Sequence, residues 1–498
     1  MTMAQLSVPI RWVPSYLRRV RSDSLVRNSL YLMASTVVSG GLGYVFWALA
    51  AHAFTSTEVG IAGAVISLCS TAALLTYLGS SAILIERLHA REGSSQWTTL
   101  LIRVCLVTAG VTATAAAAVV PVLDISPDYR SFFRAGLPIF VAVIGAATWT
   151  VVNLLGAAFI AARRAGRLLS IQTVISAAKV LFVLPLAALG AGAAGLVEAW
   201  VASALLGVGV GAAWLVPRMG LGHRPGHVPR RRAADTPVRP RPYRRPRHRR
   251  ALTPPTANSV RHLLAQHLTS VGGAVTPLVL PVLVVLRLGA TANAYFYITW
   301  MLGLAFFMVS PSVATAVFSE GVRAGSDLHS VVTRALRVIV VLLAPATIVM
   351  VAAGKLILGL FGAPYAAAGY ELLVLLAISA LPDAVSNVAV AVFRVSQRLG
   401  YSTAINLGIL VATLVSAWML MPRLGIAGVG VAWLGVQSVG AIASLPAYMQ
   451  IRKASLSRTS TARHHDGSVA ETNQDPGVAL LIDLAKLQSL ERLSGRAP

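Results

Sequence analysis

Residues 230–250 read RRRAADTPVRPRPYRRPRHRR, and this stretch decides how the rest of the chain is organised. Prolines lack a backbone N–H and neighbouring arginines repel one another, so such a segment forms neither a helix nor a packed core. We therefore predict an extended, solvated linker over Pro217–His262. The sequence on both sides of it is strongly apolar, which predicts two hydrophobic lobes, residues 29–216 and 263–451, joined by a strap.

The composition excludes an ordinary soluble protein. Charged residues make up only 12% of the chain and the mean hydropathy is +0.72, whereas soluble chains carry about 25% charged residues. The net charge of +25 would also suit a nucleic-acid-binding protein. Here, however, the basic residues concentrate in the linker and in short loops between apolar runs, which is typical of membrane proteins. We therefore expect the linker to contact anionic lipid headgroups and not nucleic acid.

Twelve apolar runs have the length that a hydrocarbon layer of about 30 Å requires. They predict an all-α polytopic membrane protein with six spanning helices in each lobe. In chain order the runs are Leu30–Phe54, Val59–Ile83, Leu100–Leu123, Phe133–Ala161, Leu168–Leu189, Gly195–Leu215, Leu263–Val285, Ala292–Phe318, Val338–Leu360, Ala367–Phe393, Ser402–Met421 and Gly425–Met449.

Both ends of the chain are predicted to lie outside these lobes. Residues 1–28 form a basic N-terminus, and residues 452–498 form a polar tail. Within the tail, Val478–Leu493 places leucines at helical spacing. This spacing predicts an amphipathic helix that lies on the membrane or docks a partner, with an incidental pattern as the alternative.

Arginine and lysine collect in alternate loops, namely those that follow the even-numbered apolar runs. Arg163 and Arg164 follow the fourth run, for example, and Arg394 and Arg398 follow the tenth. Loops rich in these residues face the cytoplasm. We therefore predict an inner (cytoplasmic) membrane protein whose two termini and linker are all cytoplasmic.

The sequences of the two lobes match in a way that indicates an internal duplication. A constant shift of 234 residues pairs Asn153 with Asn387, and after a one-residue slip GAAGLVEAW at 192–200 matches GIAGVGVAW at 425–433. Each half holds an even number of runs, so the copies are parallel repeats that face each other across a central cleft. The same shift pairs Arg27 with Arg261, Phe159 with Phe393, Arg164 with Arg398, Gly166 with Gly400, and Gln172 with Asn406.

At these residues the chain resembles the multidrug/oligosaccharidyl-lipid/polysaccharide (MOP) flippase superfamily. The resemblance covers roughly residues 27–449 and rests on an Asn in the fourth helix of each lobe, a Phe-x4-Arg-x-Gly exit from that helix, and Gly-x-Ala-Gly before the sixth. It is nearest to the polysaccharide transporters, which include O-antigen and teichoic acid exporters. It implies alternating-access flipping of a lipid-linked oligosaccharide or polysaccharide precursor for the cell envelope. Polysaccharide-synthesis enzymes are the candidate partners.

Other functions remain open. A cation-coupled multidrug exporter of the same superfamily would favour acidic residues in the cleft, and Leu30–Phe54 contains none. A membrane-embedded glycosyltransferase would need catalytic acids or histidines in an extracytoplasmic loop, where only Asp124 and Asp128 qualify. An inactive scaffold would recruit enzymes through the linker and the tail. The sequence contains no catalytic constellation, phosphate-binding loop or metal-ligand spacing, so we predict neither an enzyme nor a cofactor.

Polar residues at membrane depth are the candidate site, because they are costly in lipid and usually face a cavity. Asn153 and Asn387 are candidates to bind substrate, with hydrogen bonding between helices as the alternative. Asp383 follows Pro382, which frees a backbone carbonyl, so this pair predicts a site for a coupling cation or proton. Pairing of Asp383 with a basic residue of a neighbouring helix is the alternative.

Two basic residues are candidates for the pyrophosphate of a lipid-linked sugar. Lys179 in the fifth run and Arg287 at the end of the seventh can donate charge-assisted hydrogen bonds to phosphate oxygens. Snorkelling toward the headgroups is the alternative, and Glu198 is a candidate to neutralise Lys179. Cys69 and Cys105 lie within apolar runs and are predicted to be buried core residues without a disulfide.

Overall fold

The computed structural model describes residues 24–89, 95–123, 126–134, 136–162, 164–219, 257–321, 327–396, 398–446 and 448–449. Within them the chain is helical apart from short connections, and twelve helical spans are long and apolar enough to cross a membrane. The prediction of an all-α polytopic membrane protein is therefore confirmed. The linker predicted over Pro217–His262 has helical ends, since one helix runs to Met219 and the next begins at Ala257, where residues 257–262 contain no proline. Residues 24–28 of the predicted N-terminus also belong to a helix. The predictions for residues 1–23 and 220–256 and for the tail lie outside the described residues.

The N-terminal lobe contains six spanning helices and one short helix, α4, that connects the third span to the fourth. Their bounds are α1 Ser24–Ala53, α2 Ser56–His89, α3 Ser95–Leu123, α4 Pro127–Phe133, α5 Leu137–Ala161, α6 Ala165–Ala188 and α7 Gly192–Met219.

The C-terminal lobe also contains six spans, of which the second is broken into two helices, α9 and α10. The bounds are α8 Ala257–Leu288, α9 Ala290–Phe307, α10 Val309–Gly321, α11 Leu328–Gly359, α12 Ala363–Val395, α13 Leu399–Leu424 and α14 Ala427–Pro446.

Most boundaries differ by a few residues from those that hydropathy predicts, and three of the differences have a local structural cause. The fourth span begins at Leu137, not Phe133, because Gly136 has a φ of 73° and separates it from α4. The eighth is interrupted at Met308, three residues before Pro311, which has no N–H to continue the helical ladder. The ninth begins at Leu328, not Val338, because the Asp327 side chain accepts hydrogen bonds from the first turn. Hydropathy does not report such caps and breaks.

Helix packing repeats between the lobes. Helix α1 packs on α6 as α8 packs on α13, α2 packs on α5 as α9 packs on α12, and α3 packs on α5 as α11 packs on α12. These are the pairs that a duplicated six-helix unit requires. The predicted internal repeat is therefore confirmed.

The two lobes meet at one end of the molecule. We call the end where α1 stops and α9 starts the far end, and the end where α7 stops and α8 starts the linker end. Toward the far end, Phe46 of the N-terminal lobe shares one buried cluster with Val285 and Ile298 of the C-terminal lobe. Toward the linker end, Phe159 belongs to a cluster formed by the N-terminal lobe alone. A further cluster around Trp300 contains only residues of the C-terminal lobe.

Candidate functional site

A cavity of about 300 Å³ lies inside the C-terminal lobe between α8, the α9–α10 break and helices α12 to α14. Its walls are mainly apolar, and a small group of polar side chains converges on it. This combination is typical of ligand sites in proteins. The polar side chains in the lining are Thr276, Asp383, Ser386, Asn387, Asn406 and Gln437.

Asp383 is the charged group of this cavity, and it is only 6% exposed. Its Oδ2 accepts a hydrogen bond of 2.6 Å from the Ser310 hydroxyl and one of 3.1 Å from the Asn387 amide. The same amide also donates to the Ser310 Oγ at 3.1 Å. We call Asp383, Ser310 and Asn387 the acidic cluster. Its hydrogen bonds come from neutral donors, and no basic side chain of the described residues pairs with Asp383.

The local sequence explains how the cluster is assembled. Asp383 and Asn387 are four residues apart on α12, so their side chains lie on one face of that helix. Ser310 lies directly after the break at Met308, which separates α9 from α10 beside the cavity. Pro382 lacks an N–H, so the carbonyl of Ile378 loses its usual helical partner near the carboxylate.

Two buried polar atoms in the cavity wall have no partner among the described residues. They are the Oε1 of Gln437, whose side chain is 3% exposed, and the Nε1 of Trp433. A buried polar atom without a hydrogen bond is costly. Both residues line the cavity, so its wall contains buried polar atoms that no described residue satisfies.

The donor set of the acidic cluster suits a small hard cation. The Asp383 carboxylate and the Ser310 hydroxyl provide oxygen ligands, the type that such ions prefer. No group of three or more His, Cys, Asp or Glu side chains with metal-site geometry occurs in the described part of the chain. A single negative charge matches a monovalent ion better than a divalent one, because one carboxylate balances only one positive charge.

The repeat position in the N-terminal lobe lacks this chemistry. The 234-residue shift places Trp149 opposite Asp383 and Thr76 opposite Ser310. Asn153 donates to the carbonyl of Trp149 at 2.7 Å, as Asn387 donates to the carbonyl of Asp383 at 3.1 Å. The two asparagines are therefore equivalent in backbone contact, but only Asn387 also touches a carboxylate.

Hydroxyl groups replace the acidic cluster in the N-terminal lobe. The Oγ1 atoms of Thr76 and Thr112 lie 2.6 Å apart, and those of Thr112 and Thr150 lie 2.9 Å apart. This chain of hydrogen bonds links α2, α3 and α5. The duplication has therefore left one lobe with a charged site and the other with neutral contacts between helices.

Lys179 lies on the inward face of α6, away from the cavity of the other lobe. Ile175 and Val183, one turn away on either side, are both buried, whereas Leu181 on the opposite face is 70% exposed. Within the described residues the Lys179 ammonium has no hydrogen-bond or ion-pair partner. In particular, the expected ion pair with Glu198 is not formed.

Arg287 lies apart from both sites. It is exposed at the far end of α8, and its guanidinium lies 4.9 Å from the ring centroid of Trp418 on α13. This geometry is a cation–π contact at the lobe surface. Cys69 and Cys105 are buried and free, as predicted.

Sequence reasoning identified Asp383 and Asn387 but missed Ser310 and Gln437. Both missed residues lie in apolar runs where a single polar residue is common. A usable signal for Ser310 was the adjacent Pro311, because a proline inside a predicted span marks a helix break. Nothing in the sequence marks Gln437 as part of the same cavity.

Known proteins with solved structures share this fold. The inward-facing structure of a multidrug resistance MATE family transporter of the MOP superfamily superposes with a TM-score of 0.55 at 17% identity, covering 86% of this chain and 95% of that one. The outward-facing structure of such a transporter gives 0.53 at 15% identity, covering 86% and 96%. A MOP superfamily transporter from Pyrococcus furiosus, described as having a binding pocket of reverse polarity, gives 0.53 at 14%, covering 86% and 95%.

These similarities establish the fold of the chain. It is the two-lobed, twelve-helix fold of MATE-like MOP superfamily structures, and it agrees with the superfamily resemblance seen in the sequence. No protein-family model matches the chain, and no curated protein matches it significantly. Membership of the superfamily and of its polysaccharide branch stays a prediction.

Proposed function

We propose that this protein is a cation-coupled membrane exporter that moves amphipathic organic molecules by alternating access of its two lobes. The observation that carries the proposal is the acidic cluster, a buried carboxylate without a basic partner in the described residues, facing a cavity. A charge at membrane depth is costly. It is tolerated where a cation binds and leaves during the transport cycle.

The fold supports the same function. MATE-like structures with this fold are multidrug transporters by name, and mainly apolar walls around a few polar groups suit an amphipathic substrate. The absence of acidic residues from Leu30–Phe54 does not oppose the proposal, because the coupling carboxylate lies in the C-terminal lobe. Cation binding at Asp383 would favour one arrangement of the lobes and cation release the other.

The test is transport by purified protein in proteoliposomes. A Na⁺ gradient or a proton gradient is imposed separately, and movement of the lipophilic cation ethidium is followed by fluorescence. We expect Na⁺-driven ethidium transport by the wild type and its loss in Asp383→Asn. Glu371→Gln removes a charge from an exposed position on the same helix and should transport like the wild type. Equal transport by Asp383→Asn and the wild type would contradict the proposal.

A second candidate function is flipping of a lipid-linked oligosaccharide for the cell envelope. The observation that favours it is Lys179, an inward-facing cation for which no carboxylate partner exists among the described residues. An ammonium in this setting can bind a pyrophosphate through charge-assisted hydrogen bonds. The lipid tail of such a substrate would stay in the bilayer while its headgroup enters the cleft.

The two functions are separable with the same vesicles. A fluorescent polyprenyl-pyrophosphate disaccharide is added in place of ethidium, and transfer of its headgroup across the bilayer is measured. The flippase function requires transfer above that of empty vesicles and its loss in Lys179→Ala. Lys355→Ala is the matched control, since Lys355 is exposed and lies over the Tyr370 ring. Transfer no faster than in empty vesicles would exclude the flippase.

A further inference from the structure

Helices α2 and α9, which meet at the lobe contact, are repeat partners whose first turns are capped differently. Helix α2 is capped within its own lobe: the Thr55 N–H donates to Glu58 Oε2 at 2.8 Å, and the Glu58 N–H donates to Thr55 Oγ1 at 3.3 Å. This reciprocal pair is a capping box. The 234-residue shift places Gly289 and Ala292 at these positions in the other lobe, so α9 has no side chains for a capping box of its own.

The missing cap of α9 comes from the opposite lobe. Asp128, on the short helix α4, accepts a hydrogen bond of 2.9 Å from the Ala290 N–H through its Oδ2. The first turn of a helix carries free N–H groups and a partial positive charge, so a carboxylate there is stabilising. Gly289 precedes this turn with a φ of 88°, a backbone conformation that favours glycine.

Helix α4 holds Asp128 firmly in the N-terminal lobe. Tyr129 is fully buried, and Phe132 and Phe133 are each 8% exposed and pack edge to face. Burial raises the pKa of the Tyr129 hydroxyl, and the neighbouring Asp128 carboxylate raises it further. The hydrogen bond to Ala290 therefore joins α4 of one lobe to α9 of the other.

Other contacts at the same place depend on the lobes being together. The Oγ1 atoms of the repeat partners Thr57 and Thr291 lie 2.9 Å apart. The Asn293 amide donates to the carbonyl of Gly60 at 2.7 Å. These groups belong to α2 and α9, so separation of the lobes at the far end breaks all of these bonds together.

We propose that Asp128 is a latch between the lobes, which caps α9 only while the far end is closed and so stabilises the closed state. The latch is a device for alternating access and rests on that part of the proposed function. When the far end opens, α9 loses its cap, whereas α2 keeps its own. Opening therefore destabilises the first turn of α9 in the C-terminal lobe and leaves the first turn of α2 unaffected.

The test measures the distance between the lobes at the far end. Spin labels are attached to cysteines introduced at Leu189 and Leu360, which are 79% and 66% exposed, in a Cys69→Ala, Cys105→Ala background. Distances are recorded by pulsed electron paramagnetic resonance in lipid nanodiscs. Where one of two states has a helix cap and the other lacks it, removing the cap changes the ratio of the two states roughly fivefold. We expect Asp128→Ala to increase the open-to-closed ratio by that factor and Asp128→Asn, which keeps an acceptor oxygen, to change it less.

Glu58→Ala is the matched control, because it removes a cap of equal kind that does not cross between lobes. It should leave the distance distribution unchanged. The latch is refuted if Asp128→Ala has the wild-type distribution, or if Glu58→Ala shifts it as much. A wild-type protein with a single distance under all ion conditions would instead refute alternating access itself, so the two failures are distinguishable.

Discussion

At the scale of single residues, one lobe carries a charge that the other lacks. Asp383 occupies the position that Trp149 occupies in the N-terminal lobe. The surrounding backbone contact, an asparagine donating to a carbonyl four residues earlier, is the same in both lobes. The carboxylate is thus an addition to a shared framework. The proposed cation site therefore lies in the C-terminal lobe.

The hydroxyl of Ser310 should set the affinity of the acidic cluster for its cation. Ser310→Ala removes the 2.6 Å hydrogen bond that positions the Asp383 carboxylate, together with one oxygen ligand. A hydrogen bond to a charged group is worth about 1.5–3 kcal/mol. We therefore expect the Na⁺ concentration for half-maximal transport to rise at least about tenfold.

The matched control for this measurement is Ser312→Ala. Ser312 lies two residues along α10, is exposed, and donates only to the Met308 carbonyl. Its removal should leave the Na⁺ dependence unchanged. An unchanged Na⁺ dependence in Ser310→Ala, with normal expression, would show that the cation binds elsewhere.

At the scale of helices, the close contact of α2 and α9 is one of the contacts that join the lobes. A Cβ at Gly60 would collide with the carbonyl oxygen of Ala290, and one at Gly63 would lie 2.9 Å from the Tyr297 ring. Only glycine allows the two helix backbones to approach this closely. The sequence shows these glycines, but in a chain rich in glycine their positions alone do not identify a helix contact.

Gly60→Ala should therefore weaken the closed far end. Overpacking a tight contact costs about 1–3 kcal/mol, so we expect a lower melting temperature in detergent. Gly79→Ala on the same helix is the control, because nothing lies within 4 Å of a Cβ there and alanine favours the helix. If Gly60→Ala melted with the wild type, the α2–α9 contact would not limit stability.

At the scale of the whole molecule, the lobes are in contact at the far end, and the proposed alternating access requires that this end open. The side chains of Thr57 and Thr291 offer a direct way to prevent opening. Their Oγ1 atoms are 2.9 Å apart, and both residues are exposed. Cysteines at these positions lie within reach of a disulfide.

We expect the Thr57→Cys, Thr291→Cys variant, in a background without Cys69 and Cys105, to lose transport on oxidation and regain it on reduction. A covalent bond across the lobe contact would stop alternation in the closed state. Each single-cysteine variant should transport equally under both conditions. Full activity of the oxidised, cross-linked protein would contradict rocking of the two lobes.

Sequence periodicity and composition by themselves determined the architecture of this protein. Span lengths follow from hydropathy, because the thickness of a bilayer sets how many apolar residues a helix needs. The duplication follows from matched polar residues at a constant shift, and the buried carboxylate at Asp383 was visible as a costly charge in an apolar run.

Only the tertiary structure decided which polar residues meet. Ser310 reaches Asp383 across 73 positions of sequence, and Asp128 reaches Ala290 across 162. Hydrogen bonds are short and directional, so their partners depend on how the helices pack and where they break. Hydropathy records that a residue is buried or exposed, but it does not record which neighbour it faces.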